Sequence, residues 1–242
     1  MKFYLQVNAG MCNRLRSLVS GLLWAEDFFT KLHVYWPVEP GHFSADIYHL
    51  LDVTKIEYLG EIHTGYLQRA HQVLNEDDMN TVRQLWNPGQ DIRIKSYSVF
   101  HPEFSTRGAE ILRKLNFRRQ VEADALWASF PRKPELGIHI RNIGFNTLGV
   151  SQMYEKEIKS FLGPFYLATD DEEVKRYFSS KYKERAECAK ITLGRIPLVA
   201  QLDGLLEWLV LSKCKVIIGT TGSSYSELAA LLGGAQLVRA ST

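Results

Sequence analysis

Several breaks in this chain set anion- and proton-handling side chains where an apolar run gives way to a helical pattern. In GIHIRNIG, His139 and Arg141 stand two apart on a predicted strand and therefore share a side near its carboxyl end. A guanidinium there can grip a pyrophosphate through paired N–H donors, or simply emerge into solvent. VIIGTTGSSYSELAALLGG runs from an apolar strand through Gly219, Thr220, Thr221, Gly222, Ser223 and Ser224 into a second periodic stretch. Small residues permit close backbone approach, and the first N–H groups of a helix favour an anion. Ser224 and Glu227 also have capping-box spacing, which accounts for part of the hydroxyl richness without any ligand.

Three further stretches join the set. NAGMCNRLRSL ends a strand at Asn8 and Gly10 and brings Asn13, Arg14 and Arg16 to the start of a helix, where they could meet a phosphate or a sugar hydroxyl; Asn13 could equally be the N-cap. FYLATDDEEV runs into Asp170 and Asp171, a pair that could hold a diphosphate-bridging metal or cap the following helix from Thr169 or Asp170. DGLLEWLVLSKCK places Leu202, Leu205, Leu206 and Leu209 on an apolar face with Asp203 and Glu207 one turn apart on another. A carboxylate at Glu207 could accept two N–H groups from a guanine edge, or belong to a solvated helix face.

The elements that must position these groups read as two α/β halves. Lys2–Val7 is a predicted strand, Leu15, Leu18, Val19, Leu22 and Leu23 recur at helical spacing, and KLHVYW is the next strand, giving one βαβ unit. DIRIKSYSVF ends the first half, and 107–130 reads as helical up to Pro131 and Pro134. From Glu135 the alternation restarts: LGIHIR, a helix near 152–161, PFYLAT, a helix over 171–180, a strand near 188–192, a helix over 201–212, KVIIG, a helix over 224–232, and AQLVRA. The boundary falls near 130, separating domains 1–130 and 131–242, and a cleft between them is expected to collect the polar breaks.

Composition narrows the function. A net charge of +2 supplies no general attraction to nucleic acid or an anionic membrane, so an anion must be held locally. MKFYLQVNAG suits a first strand better than a signal peptide, and no apolar run approaches the roughly 20 residues of a membrane span. Cys12, Cys188 and Cys214 are far apart and odd in number, with neither zinc spacing nor a disulfide framework. The expectation is a cytoplasmic protein without nucleic-acid or membrane partners.

In order, these breaks resemble the three peptide motifs of the α1,2-, α1,6- and protein O-fucosyltransferase superfamily: GIHIR for its His-x-Arg motif, FYLATDD for the second and LSKCKVIIGTTGSSYSELA for the third. NAGMCNRLRSL is similar to the family's N-terminal glycine-rich loop, and LHVYWPVEPGHFSADIYHLLD to the tryptophan-containing segment that follows it. The matches are dense in 1–52 and 136–234. Departures from the family pattern are Cys12 in place of a glycine, Glu207 in place of an aspartate, and Asn142, Ile143 and Gly144 after the His-x-Arg motif.

The resemblance implies a GT-B-like α/β fold of two Rossmann-like domains facing a cleft, the first on the acceptor side and the second binding the nucleotide sugar. It implies inverting transfer of L-fucose from GDP-fucose to a glycan hydroxyl, with no metal and no cofactor. Arg141 would hold the β-phosphate, His139 the nucleoside and Glu207 the guanine. Thr220, Thr221, Gly222, Ser223 and Ser224 would cradle the diphosphate, Gly10 would also bind the nucleotide sugar, and Asn13 would sit by the fucose, with Arg141 and Asn13 the catalytic residues. Transfer of rhamnose or another 6-deoxyhexose from a UDP- or GDP-sugar is the neighbouring alternative. An inactive nucleotide- or glycan-binding protein is the alternative of another class.

Overall fold

The computed structural model describes residues 2–85, 90–141, 151–194 and 197–240. The described residues form two compact units, Met1–Arg118 and Arg119–Thr242. In the first, β1 (Phe3–Val7), α1 (Met11–Asp27), β2 (Leu32–Tyr35) and β3 (Leu59–His63) are followed by β4 (His71–Gln72), α3 (Glu76–Leu85), β5 (Ile92–Ser96) and α4 (Phe104–Lys114). A short α2 (Ile47–Leu50) lies between β2 and β3. The sheet is parallel, in the order β3-β2-β1-β5-β4. Strand order reverses beside β1, the kind of position at which open α/β sheets bind ligands.

Burial explains why α1 is sheathed in protein. Leu15, Leu18, Val19, Leu22 and Leu23 are buried, and Gly21 lets the helix approach the sheet, since a Cβ there would stand 2.7 Å from Leu5 Cδ2. Its buried hydroxyls are paired: Ser17 Oγ donates to the Ser98 carbonyl, and Ser20 Oγ accepts from the Phe100 N–H.

The second unit contains α5 (Gln120–Ser129), β6 (Leu136–Ile140), α6 (Ser151–Ser160), β7 (Phe165–Thr169), α7 (Glu172–Lys181), β8 (Ala186–Glu187), α8 (Leu198–Leu211), β9 (Val216–Gly219), α9 (Ser224–Gly233) and β10 (Gln236–Arg239). Its sheet is also parallel, in the order β10-β9-β6-β7-β8, with the reversal between β6 and β9. Leu136, Ile138 and Ile140 point into a core with Tyr154, Ile158, Leu167 and Phe178. The alternate positions face the other way. A Cβ on Gly137 would stand 2.6 Å from Leu211 Cδ1, so α8 lies directly on that face, and His139 follows on the same side.

Two sequence expectations are corrected here. The helical stretch 107–130 is two helices, because 115–118 is an extended strap: Leu51 pairs with Phe117, the Asp52 N–H donates to the Asn116 carbonyl, and the Arg118 N–H donates to the Leu50 carbonyl. The strand near 188–192 is instead the two-residue β8 at Ala186–Glu187. Strands β3 and β4 and helix α3 fill a stretch that carries no clear period in the sequence. The compact units divide at Arg118/Arg119, ahead of the proline-marked boundary, and α5 belongs with the second unit.

Candidate functional site

The second unit gathers most of the expected site residues at one edge of its sheet. Register places His139 beside Ala168 of β7 and Gly219 of β9, so the ends of β6, β7 and β9 are level. Thr220 joins two of these ends. Its N–H and hydroxyl both reach the His139 carbonyl at 3.2 Å, its Oγ1 accepts from the Arg141 N–H at 2.9 Å, and the same oxygen lies 2.9 Å from the Tyr154 hydroxyl. The Tyr154 hydroxyl also donates to the His139 carbonyl at 3.2 Å. Thr220 thus fixes the backbone from which Arg141 projects. Thr221 plays a similar part, its hydroxyl donating to the Ala240 carbonyl at 3.1 Å.

Beyond these anchors, the turn into α9 exposes backbone. Gly222 has φ +75°, the left-handed region that a glycine enters without strain, and a Cβ there would meet nothing within 4 Å. Gly219 must be small for another reason: a Cβ would stand 2.2 Å from Ser226 Oγ. The helix begins at Ser224 with Ser223 as N-cap, so the expected capping box of Ser224 and Glu227 does not form. Glu227 instead pairs with Arg239 at 3.3 Å. Ser223 is 1% exposed, makes no side-chain cap bond, and its Oγ has no hydrogen-bond partner.

Two more buried polar atoms lack partners close by. His139 stacks on Tyr225, ring centroids 4.6 Å apart and planes 23° from parallel, while its Nδ1 is unsatisfied. Burial, reinforced by the nearby charge of Arg141, pushes its pKa down to about 3, so the ring is neutral. Tyr225 is held in turn by its hydroxyl, which donates to the Gly204 carbonyl at 2.8 Å. Glu207 is not on a solvated face: it is 5% exposed, and Oε1 has no partner. Burial pushes its pKa up to about 8, with Lys175, a backbone hydrogen bond from Thr169 and the Tyr225 side chain only partly opposing the shift. Buried groups of this kind are normally satisfied, so three in one neighbourhood call for an explanation.

Other sequence candidates are structural. Asp171, rather than Thr169 or Asp170, caps α7, accepting from the N–H groups of Glu173 and Val174 at 2.8 and 3.0 Å. Asp203 accepts from Arg119 at 2.6 Å and from the Thr192 N–H at 2.8 Å. Asn142, Ile143 and Gly144 lie outside the described residues.

Gly10 and Asn13 lie in the first unit, described by itself. Helix α1 starts at Met11 with Gly10 as N-cap, so Asn13 is in the first turn and is not the cap. Arg14 is fully buried. Its Nε donates to the Ala9 carbonyl at 2.7 Å and one terminal nitrogen to the Pro37 carbonyl at 2.6 Å; the other meets Glu39 at 3.3 Å. Its guanidinium also lies over the rings of Phe43 and Trp36, at 4.6 and 5.3 Å. Burial draws its pKa down to about 10, leaving it charged, and these partners all belong to its own loop and the segment after β2. Arg16 Nε donates to the Tyr97 carbonyl at 2.9 Å.

Sequence reasoning missed Tyr225 and Tyr154. Tyr225 interrupts the small-residue break and was the available signal; Tyr154 reads as one more apolar position of α6.

No family model and no curated protein matches the chain. Solved structures do. The NodZ α1,6-fucosyltransferase co-crystallised with GDP is 15% identical, with 96% of this chain and 92% of that one covered at a TM-score of 0.72. A point mutant of FUT1 from Arabidopsis thaliana in complex with GDP is 13% identical over 98% of this chain and 70% of that one, with a TM-score of 0.66. POFUT1 in complex with GDP is 10% identical over 100% and 99%, with a TM-score of 0.59. The chain is similar in fold to these fucosyltransferases: a mixed α/β architecture with two parallel five-stranded sheets.

Proposed function

We propose that this chain is a glycosyltransferase that moves L-fucose from GDP-fucose to a glycan hydroxyl, by an inverting reaction that needs no metal. The observation that carries the reading is the set of unsatisfied buried atoms, His139 Nδ1, Glu207 Oε1 and Ser223 Oγ, around the carboxyl edge at the β6/β9 reversal. Each has hydrogen-bonding capacity that a bound nucleotide diphosphate can meet. The GDP complexes of proteins sharing the fold favour a guanine nucleotide as that ligand.

In this reading the nucleoside lies by His139 and Tyr225, and the carboxylate of Glu207 accepts from guanine N–H groups. Glutamate keeps the two acceptor oxygens of an aspartate on a longer arm. The diphosphate sits at the Thr220–Ser224 turn, where Gly222 bares backbone and the α9 N-terminus favours negative charge. Arg141 takes the β-phosphate. The acceptor oxygen bonds to the anomeric carbon on the face opposite the departing diphosphate, and the hydroxyl proton passes to a base. As the sugar–phosphate bond breaks, the charge gathering on the diphosphate is stabilised by a fixed guanidinium and oriented N–H dipoles. Gly10 and Asn13 are assigned to the sugar end on the resemblance of their loop alone.

Calorimetric titration of the wild type and Arg141→Ala with GDP and UDP, with and without EDTA, tests the donor site. Tight GDP binding that survives EDTA and is lost in the variant is the expected result. Preference for UDP overturns the guanine assignment and moves the donor to a UDP-deoxysugar. GDP binding without fucose transfer to any of a broad panel of glycans identifies a binding protein instead.

A further inference from the structure

A second constellation lies at the far edge of the other sheet. His33 on β2 and Glu61 and His63 on the edge strand β3 bring three metal-ligating atoms within 4.8 Å of one another. Glu61 Oε2 is 3.5 Å from His33 Nδ1 and 3.7 Å from His63 Nε2. For zinc bonds of about 2.0–2.2 Å in tetrahedral geometry, neighbouring ligand atoms stand about 3.3–3.6 Å apart. Two of the three separations are therefore close to those of a loaded site.

The hydrogen bonding around these atoms points the same way. His33 Nδ1 accepts the Glu61 N–H at 3.3 Å, a long bond that a metal would displace to take the ring's lone pair, and Glu61 Oε2 stands beside it. His63 Nε2 is buried without a hydrogen-bond partner. An acceptor-rich pocket of this kind is balanced by a cation.

Both rings are also held in place. His33 lies against Tyr4 with centroids 5.0 Å apart and over Gly60, where a Cβ would come within 3.2 Å of it. His63 stacks on Tyr35 at 4.5 Å and 25°. The β2–β3 register shifts between Leu32 and Val34, an irregularity of the kind that re-aims side chains along an edge. The Glu61 side chain is 66% exposed, so solvent can reach a fourth coordination position.

We propose that His33, Glu61 and His63 form a binding site for a borderline transition-metal dication, with Zn²⁺ the best match, that clips the edge strand β3 to β2. Two imidazoles and one carboxylate select such an ion over Mg²⁺ or Ca²⁺, which take oxygen ligands. The site lies in the first unit and supplies nothing to the donor chemistry proposed above.

The test is calorimetric titration of the metal-stripped full chain with ZnCl₂ and with MgCl₂, and titration with CoCl₂ followed by visible absorption. One equivalent of Zn²⁺, no Mg²⁺ binding and a tetrahedral Co²⁺ spectrum are expected. His63→Gln and Glu61→Gln should each weaken Zn²⁺ at least tenfold and abolish the Co²⁺ bands, with GDP binding unchanged as the control for folding. Failure of the wild type to bind Zn²⁺ stoichiometrically, or wild-type affinity in both variants, overturns the site.

Discussion

The two strand-to-helix turns beside the strand-order reversals, one after β1 and the other after β9, begin from similar sequence material and end in opposite electrostatic conditions. After β1 the charged group is Arg14, whose guanidinium is spent on Ala9, Pro37 and Glu39 and covered by Trp36 and Phe43. Ala9 there has φ +66°, an unusual conformation for an alanine, and the Arg14 bond to its carbonyl helps to hold it. After β9, Thr220 and Thr221 are satisfied, but Ser223 Oγ is not, and neither are His139 Nδ1 and Glu207 Oε1 nearby. A polar turn that closes its own hydrogen bonds is scaffold; one that buries unmet capacity is prepared for a ligand.

Arginine substitution gives the largest contrast. Arg14→Ala strands two backbone carbonyls and opens a hole beneath Trp36 and Phe43, so thermal or urea unfolding should show a loss of about 3–5 kcal/mol. Arg141→Ala should do the reverse. Unfolding stability should hold within about 1 kcal/mol, while fucose transfer falls about 10²–10³-fold, or about 2.7–4 kcal/mol of barrier. Equal stability losses in the two variants would erase the distinction between scaffold and site.

Titration sharpens it next. Glu207 has its pKa raised to about 8, so the free folded protein holds a proton at neutral pH that the unfolded chain has released. Its contribution to stability is therefore full below the ordinary carboxylate range and is lost as pH rises toward 8. His139 works with the opposite sign: its pKa is depressed to about 3, so its contribution is present above the ordinary imidazole range and is lost as pH falls. If guanine N–H groups require the carboxylate, GDP affinity should rise about tenfold between pH 7 and pH 9, with proton release seen by calorimetry in buffers of different ionisation enthalpy. Glu207→Gln should flatten both the pH profile and the proton release. A wild-type profile without slope would remove Glu207 from the nucleotide.

Much of this was legible in the sequence. Apolar runs and helical spacing located most strands and helices of the second unit from β6 onward, β8 excepted, and the two-residue offset of His139 and Arg141 put both near the end of β6. What the pattern could not show is which polar residues fold back onto their own backbone. Arg14 and Asp171 look as available as Arg141 in a one-dimensional reading, yet one is an interior brace and the other a helix cap. Glu207 looked solvated because a carboxylate on a helix usually is; only the packing of α8 over β6 and β7 reveals that it is buried. The irregular edge strands β3 and β4 had no period to read, since β3 is only half-buried and β4 is two residues long.

The finest test uses the smallest group. Ser223→Ala removes one oxygen that is buried and unpaired in the free protein. If that hydroxyl were a structural cap, its loss would cost about 0.5–2 kcal/mol of stability. Because it makes no cap bond, unfolding stability should stay level or rise slightly, since an unsatisfied buried hydroxyl is itself unfavourable. GDP binding should nevertheless weaken by about 0.5–1.5 kcal/mol, the worth of one hydrogen bond formed only in the complex. Opposite movements of stability and affinity would mark the turn after β9 as built for a ligand. A fall in stability with affinity unchanged would place it with the turn after β1.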